Sequence, residues 1–344
     1  MDKTTERSRI ILMLDINDFL NRRYSTRNLS DEVFDSVVGN LAKQLEDVSF
    51  HVEYTDKQLH NDWNKLNHWI TSDNYINSTS RIGMKLCEHF FPNFFKIENS
   101  KGVSFRSMWK APNLEKILRW NRQSHSTPYL SELKRGIYFC CGMTKSTMFR
   151  PQMAKLACLQ YAPKNVLDPC AGWGGRMIGT VASGANYYAF EPNTETYNNL
   201  MALATYLNIH SKVHIFHDDA LKMDDYDFPT VDMVITSPPY FDVEVYNHEK
   251  TQSVTNHNSY ESWKNGFFVP LMAKCEQRLS RTGVSCWNVG KVGKNDMSKD
   301  VFDFHSSLNY NHINTLSVVS SKRQSNQNAN RNEKSQDTTN VFKL

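Results

Sequence analysis

A glycine-rich segment follows a short apolar run near the middle of the 344-residue chain. The run Asn165-Val166-Leu167-Asp168 reads as a strand, and it leads directly into Pro-Cys-Ala-Gly-Trp-Gly-Gly-Arg at residues 169–176. Glycine is favoured where the backbone turns tightly or approaches a ligand closely. Between a strand and a helix, such a turn also directs free backbone N–H groups at a ligand. The segment is therefore predicted to be a ligand-binding loop, although a packing turn has the same composition.

A second loop follows another apolar segment. Residues 232–236 read as a strand that ends in Ser237-Pro238-Pro239-Tyr240. The serine oxygen and the carbonyl of the following proline can accept hydrogen bonds, and two consecutive prolines fix φ and stiffen the acceptor. Pro-Pro beside an aromatic residue also occurs in ordinary turns. The position of this tetrapeptide, at a strand end downstream of the glycine loop, favours a functional role.

Together the two loops resemble motifs I and IV of the DNA methyltransferases that depend on S-adenosylmethionine (SAM) and modify exocyclic amino groups. The matching pattern is Asp168-Pro-x-x-Gly172-x-Gly174-Gly175 followed by Ser237-Pro-Pro-Tyr240, with room between them for a βαβαβ run. The resemblance covers about residues 140–344. It implies SAM as the cofactor and duplex DNA with a flipped target base as the partner.

The resemblance gives the second loop a catalytic role. The exocyclic amino nitrogen of cytosine or adenine is a poor nucleophile because its lone pair is delocalised into the ring. Ser237 and the Pro238 carbonyl are expected to accept hydrogen bonds from this amino group, and such bonds strengthen as the nitrogen becomes cationic. Pro239 stiffens the loop, and Tyr240 is expected to stack on the base after it leaves the duplex.

Cofactor contacts are expected around the ends of the first three strands. Glu191 ends the second strand, where a carboxylate can bind the ribose hydroxyls. The resemblance implies that Asp219, at the end of the third strand, accepts from the adenine amino group, whereas Asp218 could serve as a helix cap. Pro151 fits the first turn of a helix that follows a polar loop. The resemblance also implies that Lys145 and Arg150, in this loop, lie near the methionine carboxylate. The cofactor contacts expected in the glycine loop are Asp168, Cys170, Ala171, Gly172 and Gly174.

Strands and helices alternate from residue 165 onwards, which predicts a parallel sheet with ligands at the carboxyl ends of its strands. The resemblance implies the class I SAM-methyltransferase fold. This is a Rossmann-like α/β architecture with a mostly parallel seven-stranded sheet and a terminal antiparallel hairpin. Tyr260–Arg281 is predicted to be a long helix, and residues 284–289 and 312–320 are predicted to be strands. Residues 338–344 are predicted to return as the antiparallel strand.

The first 130 residues resemble no family that we can name. They are predicted to form a mainly helical N-terminal region with a candidate DNA-binding role, followed by a catalytic domain at residues 131–344. Residues 96–150 hold 11 Lys/Arg and 3 Asp/Glu, a net charge of +8 (11 minus 3). Such a block can bind phosphates by releasing counterions, although a solvated helix face has the same composition.

Within this block, cations alternate with Trp109 and Trp120. This combination suits phosphate contacts and base stacking, and it equally suits a partly buried amphipathic helix. On the first interpretation, Arg119 and Arg122 contact the phosphates that flank the flipped base. The polar segment 321–339, with Lys322 and Arg323, is expected to contribute in the same way.

Composition excludes several other classes of protein. No apolar run approaches the roughly 18 residues that span a bilayer, and residues 1–9 are polar. A protein without membrane contact is therefore expected, and the resemblance implies the cytoplasm of a bacterial or phage-infected cell. The seven cysteines include no C-x-x-C pair, so neither a disulfide framework nor a metal site is predicted. The sequence does not indicate the oligomeric state.

The target base is predicted from the first residue of the second loop. Many adenine-N6 enzymes carry Asp or Asn there, so Ser237 favours cytosine N4 over adenine N6. No nuclease segment is evident, which favours a stand-alone, phage-like methylase. Two alternatives remain open: an RNA or protein-amide methyltransferase of the same fold, and a non-catalytic nucleic-acid-binding module. The combination of Asp168, Glu191, Asp219 and Ser237 argues against the module.

Overall fold

The computed structural model describes residues 29–99, 101–124, 128–143, 146–241, 244–246, 252–319 and 337–344. Its α-helices are α1 (Asp31–Glu46), α2 (Asp56–His68), α3 (Met84–Phe90), α4 (Phe105–Met108), α5 (Ala111–Gln123), α6 (Leu130–Cys140), α7 (Pro151–Tyr161), α8 (Gly175–Ala182), α9 (Thr194–Tyr206), α10 (Tyr260–Trp263), α11 (Val269–Arg278) and α12 (Met297–Ser307). Its strands are β1 (Tyr75–Asn77), β2 (Asn165–Asp168), β3 (Asn186–Phe190), β4 (Val213–Phe216), β5 (Val231–Thr236), β6 (Leu279–Asn288), β7 (Lys291–Val292), β8 (Asn295–Asp296), β9 (Asn311–Val319) and β10 (Asp337–Lys343). Short 3₁₀ helices span Pro92–Lys96, His210–Lys212, Ala220–Asp225 and Ser253–Asn256, and a π-helical turn, Lys264–Phe268, joins α10 to α11.

Within the described part of the chain, the main sheet contains eight strands in the order β1-β9-β10-β6-β5-β2-β3-β4. Strands β4, β3, β2, β5 and β6 run parallel, whereas β10 is antiparallel to both β6 and β9. This is the predicted class I methyltransferase fold, including its terminal hairpin. The order reverses between β2 and β5, so the loops that follow these two strands lie side by side at the carboxyl edge.

The hydrophobic core covers both faces of the sheet. Alternate residues of β3 illustrate this, because Tyr187 and Ala189 enter one buried cluster and Phe190 enters another. The first cluster contains residues of α8 and α9, and the second contains residues of α11. Helices on both faces are the arrangement that parallel strands require, because both sides of each strand must be shielded from water.

The N-terminal region contributes an eighth strand, which the sequence did not predict. Strand β1 pairs in parallel with β9, and only its central residue, Ile76, is buried. A three-residue strand carries too little alternation to be recognised in sequence. By pairing with β9, it covers an edge that would otherwise expose unpaired backbone groups.

The chain forms two compact units. One comprises the described residues up to Val52 together with Phe95–Ser146, and the other comprises Glu53–Phe94 and Thr147–Leu344. In the second unit, Leu59, Leu66 and Phe91 join the buried cluster of the sheet. The compact units therefore do not coincide with a division at residue 130, and the functional division predicted there remains a prediction.

The first unit is built from helices. Among its described residues, Trp109 is the tryptophan that lies in the core. This side chain is 2% exposed and its Nε1 donates to the Leu45 carbonyl at 3.0 Å. Its ring centroid lies 5.7 Å from that of Phe50 and 5.9 Å from that of Phe105, and the Phe95 ring packs against both of these phenylalanines at 5.1 Å. For Trp109, the structure thus supports the amphipathic-helix interpretation, and the ring is not available for stacking on a base.

Two arginines that were predicted to bind phosphates are engaged inside the first unit. Arg119 pairs with Asp35 and with Glu115, at 2.5 and 2.9 Å. Arg122 pairs with Asp31 at 2.6 Å and donates to the Leu29 carbonyl. The sequence did not indicate the acidic partners on α1, and contact of these two arginines with DNA phosphates stays a prediction. Lys322 and Arg323 lie outside the described residues.

Two further findings limit the kinds of site present. No helix in the described part of the chain is long and apolar enough to cross a bilayer. Among the described residues, no group of three His, Cys, Asp or Glu side chains is arranged to hold a metal ion.

Candidate active site

The side chain that joins the two predicted loops is Asp168, the last residue of β2. It is 0% exposed. Its carboxylate accepts four hydrogen bonds, from Arg176 Nε at 2.6 Å, Tyr187 OH at 2.7 Å, Thr236 Oγ1 at 3.1 Å and Cys170 N at 3.2 Å. A carboxylate has about four acceptor positions, so those of Asp168 are used within the protein. The structure therefore supports an anchoring role for Asp168 more than the predicted direct contact with the cofactor.

Arg176 completes this anchor from the first turn of α8. Burial lowers the pKa of Arg176, but the adjacent Asp168 carboxylate, together with Tyr187 and Cys170, more than offsets this effect, so the pKa lies above its ordinary value and the side chain stays charged. The guanidinium also donates to the Cys170 carbonyl and lies 5.1 Å from the centroid of the Phe149 ring. Removing one partner of such a buried ion pair leaves an unpaired charge in the interior, which lowers the free energy of unfolding.

Three backbone N–H groups of the glycine loop are bonded within the chain. Cys170 N donates to Asp168, Ala171 N donates to the Phe190 carbonyl at 3.0 Å, and Gly172 N donates to Glu191 Oε2 at 3.1 Å. The expectation that the turn directs free N–H groups at a ligand is therefore wrong for these three residues. The bonds instead fix the loop against the ends of β2 and β3.

The glycines of this loop are needed for different reasons. Gly172 has φ +59°, and an added Cβ would meet its nearest neighbours at 3.5 and 3.6 Å, which is ordinary contact. At Gly174, with φ +71°, a Cβ would lie 2.9 Å from the Phe91 ring and 3.0 Å from Leu203. At Gly175 it would lie 2.1 Å from the Phe149 carbonyl oxygen. Close packing therefore accounts for Gly174 and Gly175, and a Gly174→Val variant would test folding before it tested ligand binding.

Glu191 lies beside the glycine loop, as predicted. The residue is 7% exposed, and its two carboxylate oxygens accept from Asn193 N at 2.9 Å and from Gly172 N at 3.1 Å. Burial raises its pKa to about 7, against the opposing effect of these two backbone hydrogen bonds. Burial also raises the pKa of the Cys170 thiol, and the nearby carboxylates of Asp168, Glu191 and Asp219 add to this effect. The three strand ends thus place their acidic groups around Cys170.

The helix-capping role that the sequence suggested for Asp218 belongs to Asp219. Asp219 is the N-cap of the 3₁₀ helix Ala220–Asp225, with its Oδ1 accepting from Leu221 N at 2.9 Å. Asp218 binds the side chains of Lys222 and Tyr226 at 2.8 and 3.0 Å. Capping occupies one oxygen of Asp219, so its predicted contact with adenine stays a prediction.

The second loop is attached to the same anchor through Thr236, whose hydroxyl donates to Asp168. Beyond it, Ser237 Oγ donates to Asn288 Oδ1 at 3.4 Å, and Tyr240 OH donates to the Asn288 carbonyl at 3.3 Å. Asn288 Nδ2 in turn donates to Thr338 O and Thr339 Oγ1, at 3.0 and 3.2 Å. Sequence reasoning missed Asn288, although a polar residue at the carboxyl end of a strand was an available signal.

The residue after this loop holds an unusual backbone conformation. Phe241 has φ +46°, a region that bulky side chains rarely adopt. Its ring packs edge-on against Tyr260, with centroids 5.8 Å apart, and lies 5.9 Å from the ring of Trp263. Strain of this kind persists where the surroundings determine the conformation, and it is frequent near functional sites.

A short segment after the second loop lies close to the glycine loop. The Tyr246 ring lies 5.8 Å from that of Trp173, and burial together with Glu244 raises the pKa of the tyrosine. Gln252 holds the segment because its Nε2 donates to the Glu244 carbonyl and its Oε1 accepts from Tyr246 N. These residues carried no recognisable motif, since only the fold brings them to Trp173.

The two basic residues predicted before the glycine loop have different outcomes. Lys145 lies outside the described residues. Arg150 is the N-cap of α7, with Pro151 in its first turn, and its guanidinium donates to the Ser80 carbonyl. The predicted helix start is thus confirmed, whereas contact between Arg150 and a cofactor stays a prediction.

Replacing Asp168 with Asn would keep the side-chain size and remove the charge opposite buried Arg176. We expect the free energy of unfolding in urea to fall by about 3 to 5 kcal/mol. Asp224→Asn is the matched control, because Asp224 forms an exposed ion pair with Lys274 whose loss should cost less than about 1 kcal/mol. Equal losses in the two variants would contradict the anchoring role of Asp168.

The raised pKa of Glu191 predicts a pH-dependent stability. The folded chain holds this proton up to about pH 7, whereas an exposed glutamate releases it near 4.5. The resulting stabilisation is complete below about pH 4.5 and is lost as the pH rises through about 7. Between about pH 5 and about pH 8, Glu191→Gln should therefore lose less free energy of unfolding than the unmodified chain. Glu195→Gln, at an exposed position, is the control, and an unchanged pH dependence in Glu191→Gln would refute the assignment.

Comparison with known proteins places both loops within one matched region. The family model described as N-6 DNA Methylase matches residues 148–284. A search of curated proteins finds no match.

Solved structures with a similar fold include an rRNA methylase from Streptococcus thermophilus, with 12% identity over 58% of this chain and 98% of that one, at a TM-score of 0.37. A SAM-dependent O-methyltransferase from Thermotoga maritima shares 12% identity over 60% of this chain and 69% of its own, at a TM-score of 0.40. Precorrin-6y C5,15-methyltransferase from Geobacter metallireducens shares 13% identity over 58% of this chain and 90% of its own, at a TM-score of 0.39. The match of residues 148–284 to the N-6 DNA Methylase model supports SAM-dependent methyl transfer.

Proposed function

We propose that this protein transfers a methyl group from SAM to the exocyclic amino group of a base in DNA. The observation that carries the proposal is the shared anchor. One buried carboxylate, Asp168, holds the glycine loop through Cys170 N and the Ser-Pro-Pro-Tyr loop through Thr236. A cofactor loop and a base-binding loop must be held in register, because the methyl group and the amino nitrogen have to meet in line.

The residues beside the glycine loop fit SAM. Glu191 presents a carboxylate at the end of β3, and its Oε2 accepts from the Gly172 N–H at 3.1 Å, a bond that ribose hydroxyls could supplement or replace. When bound, the cofactor supplies an electrophilic methyl group on a sulfonium centre. The chain's own contribution is to hold the ribose by Glu191 and to offer Asp219 at the end of the next strand.

The second loop provides acceptors for the amino group. Ser237 donates its own proton to Asn288 Oδ1, so the lone pairs of its oxygen are left to accept from an N–H of the base. The Pro238 carbonyl is a second acceptor, and Pro239 limits its movement. Hydrogen bonds that strengthen as the nitrogen gains positive charge lower the barrier without tightening ground-state binding.

Two features favour different target bases. Ser237 resembles the cytosine-N4 enzymes, which favours cytosine, whereas the matched family is described by the N-6 position. The two acceptors described above suit either amino group, because both present two N–H donors on a planar ring. The proposal therefore concerns the amino group of cytosine or adenine, with analysis of the product deciding between them.

The proposal is tested by incubating the purified protein with tritiated SAM and, in parallel, duplex DNA, single-stranded DNA and tRNA. We expect incorporation into DNA, and mass spectrometry of the digested product should show N4-methylcytosine or N6-methyladenine. Ser237→Ala, which removes one acceptor, should lower the rate of transfer about 10²- to 10³-fold. Transfer to tRNA alone would identify an RNA methyltransferase. SAM binding without any transfer would favour the non-catalytic module.

Tyr240 should act on the base and not on the cofactor. Tyr240→Ala removes the stacking face, and we expect loss of methylation with unchanged SAM affinity in calorimetry, since one stack contributes roughly 1 to 3 kcal/mol. Tyr240→Phe is the matched variant: it keeps the ring and removes the hydroxyl that donates to the Asn288 carbonyl, so it should retain most of the activity. Equal loss of SAM binding and turnover in Tyr240→Ala would show that the pocket is assigned wrongly.

A further inference from the structure

The first unit exposes an aromatic pair that its core does not explain. Phe139 on α6 is 69% exposed, and its ring stacks on Trp120 of α5 with centroids 6.0 Å apart and planes 18° apart. One turn earlier, Gly136 meets Ile117 so closely that a Cβ on the glycine would lie 2.5 Å from Cγ2 of the isoleucine. This contact brings the two helices together and places the rings side by side. Most of the Phe139 ring is nevertheless open to water.

Two cations lie on the helices that carry the pair. The Arg135 guanidinium lies 5.7 Å from the centroid of the Trp120 ring and 5.8 Å from that of Phe139, and it also pairs with Glu132 at 2.6 Å. Lys116 is exposed one turn before Trp120 on the same face of α5.

We propose that the stacking platform formed by Lys116, Trp120, Arg135 and Phe139 binds an unpaired base of single-stranded nucleic acid. An exposed ring face flanked by cations matches how such chains are held, with bases on aromatic faces and phosphates at Lys or Arg. A protein partner would be expected to cover a wider apolar surface than one phenylalanine ring. The platform involves neither of the two catalytic loops, so this site goes beyond the proposed methyl transfer.

The test measures the affinity of the full-length protein for a fluorescein-labelled oligothymidylate by anisotropy, with the labelled duplex in parallel. Phe139→Ala should weaken binding of the single strand roughly 5- to 150-fold, the effect of losing one base stack. Phe139→Leu keeps an apolar side chain without a ring face, and it should lose nearly as much. Lys116→Gln should flatten the salt dependence by about 0.7 units of slope for its lost phosphate contact.

Ile70→Ala is the matched control, because Ile70 is an equally apolar side chain that is 78% exposed and belongs to the second unit. It should leave the affinity for the single strand unchanged. Full affinity in Phe139→Leu would overturn the proposal, since the contact would then need only apolar surface. A change of oligomeric state in Phe139→Ala, seen by sedimentation without a change of affinity, would also overturn it and identify a protein interface.

SAM binding and methyl transfer are measured on the same variants, so that the two proposals fail separately. Binding that depends on Phe139, without methylation by the unmodified protein, would support the platform and refute the proposed function. Methylation of DNA by the unmodified protein, with an unchanged affinity of Phe139→Ala for the single strand, would support the proposed function and refute the platform.

Discussion

The buried carboxylate of Asp168 is the constraint on which the candidate site depends. It joins the end of β2 to β3 through Tyr187, to β5 through Thr236 and to α8 through Arg176. Burying a carboxylate destabilises the folded state unless hydrogen bonds occupy its acceptor positions, so the partners of Asp168 are held in one arrangement. This arrangement determines the position of the glycine loop relative to the Ser-Pro-Pro-Tyr loop.

Close packing is the second constraint on the glycine loop. The start of α8 lies against the backbone of Phe149, and Gly179 meets the Pro151 carbonyl, where a Cβ would lie 2.2 Å away. Helices α7 and α8 can therefore approach only because these positions lack side chains. Residues that look like a ligand motif in sequence thus serve the stability of the sheet unit as well as the proposed cofactor site.

The N-terminal residues support the site in a way that a simple division of the chain would not suggest. Phe91 and Phe94 pack edge-on against Trp173, with centroids 6.1 and 5.5 Å apart. Buried Lys155 donates to the Leu66 and Asn67 carbonyls, at 2.7 Å each, at the end of α2. Burial lowers the pKa of this lysine, and the two carbonyls offset part of the cost of its charge. Residues 53–94 are therefore a component of the sheet unit.

The sequence by itself determined the fold class, the helix start at Pro151 and the loops after β2 and β5, because strand and helix periodicity, proline and glycine act over a few residues. It also identified Glu191 as the acidic end of β3. Only the tertiary structure decided that Asp168 is an anchor, that Gly174 and Gly175 serve packing, and that Asn288 holds the second loop. It likewise revealed strand β1 and the acidic partners of Arg119 and Arg122. These features depend on contacts between residues far apart in the chain, which local pattern cannot encode.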